Sequence, residues 1–294
     1  MARLAVMTAR PDLPIYRELV VAAARGGHAL EVLDALRVVA QAHPARAWHE
    51  GRALDSGCLD AVLPRVGNWR PDSTLAVLEA VNGAGIPSLN SPSAIRRGRD
   101  HWRTAAALAE AGIPHPETVA SAEPETLAAV VDEVCGFPCV VKQRRSRQGI
   151  GVVRCDGRAT LEAVLDAFWR LGDEVIVQRF CLPGGISRRV LVLDGEALGA
   201  TEHRAATGEF RANAARGAGV RVASLDEESV DLALAAAAVV GLDFCGVDLL
   251  PDNGRWVVGE VNPTPGWKHF AAAAGIDVAE RVVTALAARA GDDG

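Results

Sequence analysis

Two apolar stretches joined by a turn-rich tetrapeptide, FCGVDLL-PDNG-RWVVGEVN, constrain this chain more than any other feature. The spacing predicts a β-hairpin over Phe244–Asn262, which Pro263 and Pro265 bring to a stop. Alternate side chains of a strand share a face, so Glu260 and Asn262 leave the backbone together. A carboxylate and an amide are costly in an apolar sheet unless something polar or charged meets them. Pairing Leu250 with Trp256 sets Val258 opposite Asp248. Asp248 and Glu260 then stand diagonally, about 7–8 Å apart, on the face shared with Asn262. Such hard oxygen donors suit Mg²⁺ or Mn²⁺ held jointly with substrate phosphates. Solvent-facing residues on a half-exposed hairpin would account for each of the three alone, but not for the set.

A second constellation lies upstream in FPCVVKQRRSRQGIGVV. Lys142 ends an apolar strand, where an ammonium can neutralise a phosphate. Gln148, Gly149 and Gly151 follow in a loop whose glycines let backbone N–H groups close over phosphate oxygens. No GK[ST] opens a helix here, so the loop is not a P-loop. Arg144, Arg145 and Arg147 read mainly as a solvated basic turn, and no aromatics interleave with them as nucleic-acid binding would require.

Around these sites the pattern is mixed. Strand and helix signals alternate through the first ninety residues, predicting a small open α/β domain. Its first strand is not followed by GxGxxG, which argues against a dinucleotide site there. Beyond it come α+β segments, with a hairpin turn at Asp194-Gly195. The length of 294 residues alone suggests about two domains. A net charge of −6 offers no bulk attraction to nucleic acid or acidic membranes, and no apolar run approaches a membrane span. The six cysteines form no CxxC pair and are expected as reduced thiols in a cytoplasmic protein.

Taken in order, Lys142, the QGIG loop, the IVQRF strand and the Asp248/Glu260/Asn262 set resemble the ATP-grasp ligases. AVLPRVG, SLNSPSAIRRGRD, EFRAN, GVDLL and EVNPTPG extend the likeness to the RimK family of α-L-glutamate ligases, over nearly the whole chain. The resemblance implies an α/β and α+β fold in three parts: a Rossmann-like pre-ATP-grasp domain (1–94), a central ATP-grasp subdomain (95–176) and a C-terminal one (177–294). It implies that Lys142 contacts the ATP phosphates and that Gln178, Arg179 and Phe180 border adenine. Arg211 and Asn213 would face the reacting centre, and Asp248, Glu260 and Asn262 would hold two Mg²⁺ or Mn²⁺ ions. The implied reaction activates a substrate carboxylate as an acyl phosphate and passes it to an amine, most simply L-glutamate with a small-molecule or peptide acceptor. A homo-oligomer is compatible with this reading.

Four positions depart from the family pattern. His101 stands in place of a phosphate-binding lysine, with Arg99 or Arg103 as candidate substitutes. Arg145 and Arg179 replace acidic residues, and Ser187 replaces an aspartate near the ribose. These changes motivate an alternative expectation, a nucleotide-binding module without ligase turnover.

Overall fold

The computed structural model describes residues 1–145, 150–212 and 217–291. They form two compact units, Met1–Ile95 with Thr264–Gly294, and Arg96–Pro263. The first unit is built on a three-stranded parallel sheet. β1 (Arg3–Thr8) lies centrally, and its run LAVMT is buried because both of its edges and both of its faces are covered. α1 (Ile15–Arg25) leads to β2 (Ala29–Asp34), which pairs with one edge of β1. A small antiparallel sheet of β3 (Val38–Gln41), β4 (Arg46–His49) and β5 (Arg52–Leu54) follows, and was not anticipated. β6 (Ala61–Arg65) then pairs with the other edge of β1, and α2 (Pro71–Gly83) buries Leu75, Leu78 and Val81.

Residues 92–110 are broken into two helices, α3 (Pro92–Gly98) and α4 (His101–Glu110). Asp100 causes the break by capping α4, its Oδ1 accepting from the Arg103 N–H at 3.1 Å. In the second unit β7 (Thr118–Val119), α5 (Pro124–Val134), β8 (Cys139–Gln143), β9 (Val152–Cys155), α6 (Arg158–Arg170) and β10 (Val175–Arg179) make one module. Its sheet runs in the order β7-β10-β8-β9. Leu127 and Val131 of α5 and Leu161 and Leu165 of α6 pack with Val141 and Val177 of that sheet.

A five-stranded antiparallel sheet completes this unit: β11 (Ile186–Leu193), β12 (Glu196–Arg204), β13 (Gly219–Ala223), β14 (Phe244–Asp252) and β15 (Arg255–Asn262). Its order is β13-β12-β11-β14-β15, and β11 turns into β12 at Asp194-Gly195 as expected. α7 (Glu227–Val240), capped by Asp226, covers one face of the sheet.

After Pro263 the chain rejoins the first unit, through α8 (Lys268–Ala274) and α9 (Val278–Arg289), with α9 packed on α1. The return is pinned at β6. Arg65 is buried, donates from Nη2 to the Pro265 carbonyl at 2.8 Å and lies 4.9 Å over the Trp267 ring. The prolines that stop β15 thus begin this crossing. Two expected boundaries differ from the structure. The division at 176/177 cuts through β10, which pairs with β8, and residues 264–294 group with the N-terminal unit instead of with 177–263.

Candidate active site

Hairpin β14/β15 carries the predicted carboxylates, but in a different register. Leu250 pairs with Val257 and Leu249 with Val258; a bulge then leaves Gly259 unpaired, so that Asp248 stands directly opposite Glu260. The two carboxylates are therefore cross-strand neighbours and not diagonal ones. Gly246, opposite Asn262, has no side chain to crowd the amide. Only glycine fits the bulge, since a Cβ at 259 would lie 2.8 Å from Leu250 Cγ. Gly259→Ala is expected to displace Leu250 and destabilise the fold by about 1–3 kcal/mol. A denaturant titration measures this, and an unchanged midpoint would argue against a strained bulge.

Asp248, Glu260 and Lys142 line one cleft in the second unit, with about 940 Å³ of open space including its mouth. Asn262 sits two pairs further along the hairpin, outside the lining. Lys142 projects from β8, and burial pushes its pKa down against the opposing pull of Glu260. Asp248 is buried and gripped by Arg189, whose Nε and Nη2 each donate to one of its oxygens at 2.6 Å. This pair follows from sheet register, because Arg189 of β11 lies directly opposite Asp248 of β14.

The cleft is also lined by Gln178, Arg179, Phe180 and Ser187, together with Val140, Phe210 and Leu250. These apolar side chains give a slot suited to a planar ring. Phe180 meets Phe210 edge to face at 5.9 Å between centroids, and the Arg154 guanidinium lies 4.6 Å from its ring. Arg179 does not present a bare cation to the slot. It makes two bonds to Asp252, at 2.9 and 2.8 Å, and a further one to Glu117, and these partners raise its pKa. The replaced hinge acid is thus offset by two acids elsewhere in the same unit.

Arg211 also lines the cleft, with its guanidinium held by Glu209 at 2.9 and 2.7 Å. That partner holds the Glu209 carboxyl down at about 2. Because the folded value lies below the unfolded one, the stability contributed by this pair is present above pH ~4.5. It is lost as pH falls through the folded value. Carboxyl NMR of the folded protein should give a Glu209 midpoint near 2, whereas an ordinary midpoint would mean that the pair does not persist in solution.

Gln148, Gly149 and Asn213 lie outside the described residues. Gly151 is described, and its φ of +66° together with the Gln143 side chain, 2.1 Å from where a Cβ would stand, requires glycine. Arg144 is structural: its Nε donates to both Asp100 oxygens at 2.9 Å, and Arg145 approaches the same carboxylate at 3.8 Å. His101 lines the cleft, whereas Arg103 lines a separate groove, and Arg99 is not among the cleft-lining residues.

No group of three or more His, Cys, Asp and Glu gathers among the described residues. Two opposed carboxylates and a neighbouring amide nevertheless fit a hard ion whose remaining ligands are phosphate oxygens and water. Arg189 occupies one direction at each Asp248 oxygen and leaves further lone pairs for a cation.

A two-sheet unit with a lysine strand facing a carboxylate hairpin is the plan of an ATP-grasp ligase. Residues 98–286 match the RimK-like ATP-grasp domain and residues 2–95 the RimK PreATP-grasp domain, so the chain belongs to the RimK-like ATP-grasp ligase family. It is 35% identical over 283 residues to a probable alpha-L-glutamate ligase of Thioalkalivibrio sulfidiphilus, covering 96% of this chain and 94% of that one. It is equally 35% identical over 284 residues to the ribosomal protein bS6–L-glutamate ligase of Escherichia coli O81, with the same coverage. Among solved structures, D-cycloserine synthetase DcsG superposes with a TM-score of 0.74 at 26% identity, over 98% of this chain and 99% of that one. The ATP-grasp ligase PsnB shares the fold, with a TM-score of 0.74 at 23% identity over 97% and 98%. The expected fold and ligase class therefore hold, and the reading as a module without turnover gains no support.

Proposed function

We propose that this chain joins a carboxylate to an amine at the expense of ATP, with L-glutamate as the amino acid. The observation that carries this reading is the placement of Lys142 in one cleft with the directly opposed Asp248 and Glu260. ATP would lie with its ring in the slot beside Phe180 and its phosphates toward Lys142. Asp248, Glu260 and Asn262 would hold Mg²⁺ or Mn²⁺, which when bound offsets charge on the transferring phosphoryl oxygens.

A substrate carboxylate attacks the γ-phosphate, giving an acyl phosphate and ADP. The amine then attacks the activated carbonyl and phosphate departs, leaving an amide. Arg211, which lines the cleft, would stabilise the oxyanion of that second step, and Asn213 would be a further donor. No protein nucleophile is required. The 35% identity to glutamate ligases supports glutamate as the amino acid. The relative named for ribosomal protein bS6 and the structures solved with precursor peptides favour a peptide acceptor over a small molecule. Free thiols at all six cysteines, and the absence of any described helix long and apolar enough to cross a membrane, suit a cytoplasmic setting.

The test is to incubate the protein with ATP, Mg²⁺, L-glutamate and a panel of peptide and small-molecule acceptors, reading products by mass spectrometry. An acceptor gaining glutamyl mass, with stoichiometric ADP, is the expected result. ADP formation that no acceptor or amino acid stimulates would overturn the proposal.

A further inference from the structure

The charges of the cleft are matched in pairs. Arg179 is bonded to Asp252 and Glu117, and Arg211 to Glu209. On the metal face, Arg189 grips Asp248, while Lys142 lies in the same cleft as Glu260. Among the described residues of this face, the two carboxylates are accompanied by two built-in cations. A free dication approaching it meets a guanidinium already bonded to both oxygens of one prospective ligand. A nucleoside triphosphate changes this sum, because its phosphates bring several negative charges to the side of Lys142.

We propose that Arg189 acts as a positioning residue that suppresses capture of free divalent metal, so that the ion enters the site only with the nucleotide's phosphates. The inference rests on the ligase reading for the location of the metal, but it concerns Arg189 alone. The same bidentate grip fixes the plane of Asp248 toward Glu260, so the site is aligned yet electrostatically closed. A built-in cation at this range weakens dication binding substantially even in a well-screened setting.

The experiment is Mn²⁺ binding read by electron paramagnetic resonance, with and without a non-hydrolysable ATP analogue. Wild type is compared with Arg189→Met, Arg189→Gln and Arg189→Lys, each checked for folding by near-ultraviolet circular dichroism. Wild type should bind Mn²⁺ at least about tenfold more weakly without the analogue than with it. Whichever of Arg189→Met and Arg189→Gln folds should bind free Mn²⁺ at least about tenfold more tightly than wild type, while Arg189→Lys stays near wild type. Equal wild-type affinity with and without the analogue would overturn the proposal, whatever the variants do. So would a folded neutral variant that binds free Mn²⁺ no better than wild type. Failure of the analogue itself to bind would instead count against the ligase reading, which separates the two.

Discussion

Glu260→Gln is expected to lose ATP-dependent amide formation by about a thousandfold while remaining folded. Glu260 stands opposite Asp248 across the bulge at Gly259, and Asp248 is already engaged by Arg189. Glu260 supplies the second carboxylate charge of the opposed pair. Glutamine keeps the shape and one acceptor oxygen but removes that charge, so the loss should fall on turnover and metal dependence and not on the fold. Steady-state phosphate release across a range of Mg²⁺, together with a thermal melt, distinguishes these effects. A variant retaining more than about a tenth of wild-type turnover would mean that Glu260 is not a metal ligand.

Lys142→Met is the second change with a large expected effect, a fall in kcat/KM for ATP of about a hundred- to a thousandfold. Burial lowers the pKa of this ammonium, and the acids of the facing hairpin oppose that shift. Such a group costs the folded protein something, and its return comes only when phosphates arrive. Methionine preserves the aliphatic stem, so melting should change little while nucleotide affinity drops. Nucleotide titration by calorimetry is the check, and unchanged affinity in Lys142→Met would remove Lys142 from the phosphate site.

Much of this arrangement can be read from residue order alone. The hairpin at 244–262 and the strand ending in Lys142 both rest on local patterns, apolar alternation and a turn signal. What escapes is set by pairing between distant strands. Arg188 and Arg189 are adjacent and chemically identical in sequence. Strand alternation sends Arg188 to Asp226, Ser229 and the Trp256 ring, and Arg189 to Asp248. Nothing local distinguishes them; the register of β11 against β14 does.

The bulge is a different case, since a glycine inside an apolar strand is itself a signal of one, and Gly259 carried it. The strands of residues 38–54 are three or four residues long and half exposed, too short for alternation to show. The return of 264–294 to the first unit depends on Arg65, whose partners Pro265 and Trp267 lie two hundred residues further along the chain. Arg179 shows the same limit: as an isolated substitution it predicts a changed nucleotide site, whereas in the fold Asp252 and Glu117 absorb its charge.

The measurement that bears most directly on the site is a crystal structure with Mn²⁺ and a non-hydrolysable ATP analogue, read by anomalous scattering from the metal. Anomalous peaks should lie within about 2.5 Å of oxygens of Asp248 and Glu260, bridged to phosphates that also reach Lys142. Peaks bound elsewhere, with the Asp248–Glu260 hairpin bare of metal, would contradict the account.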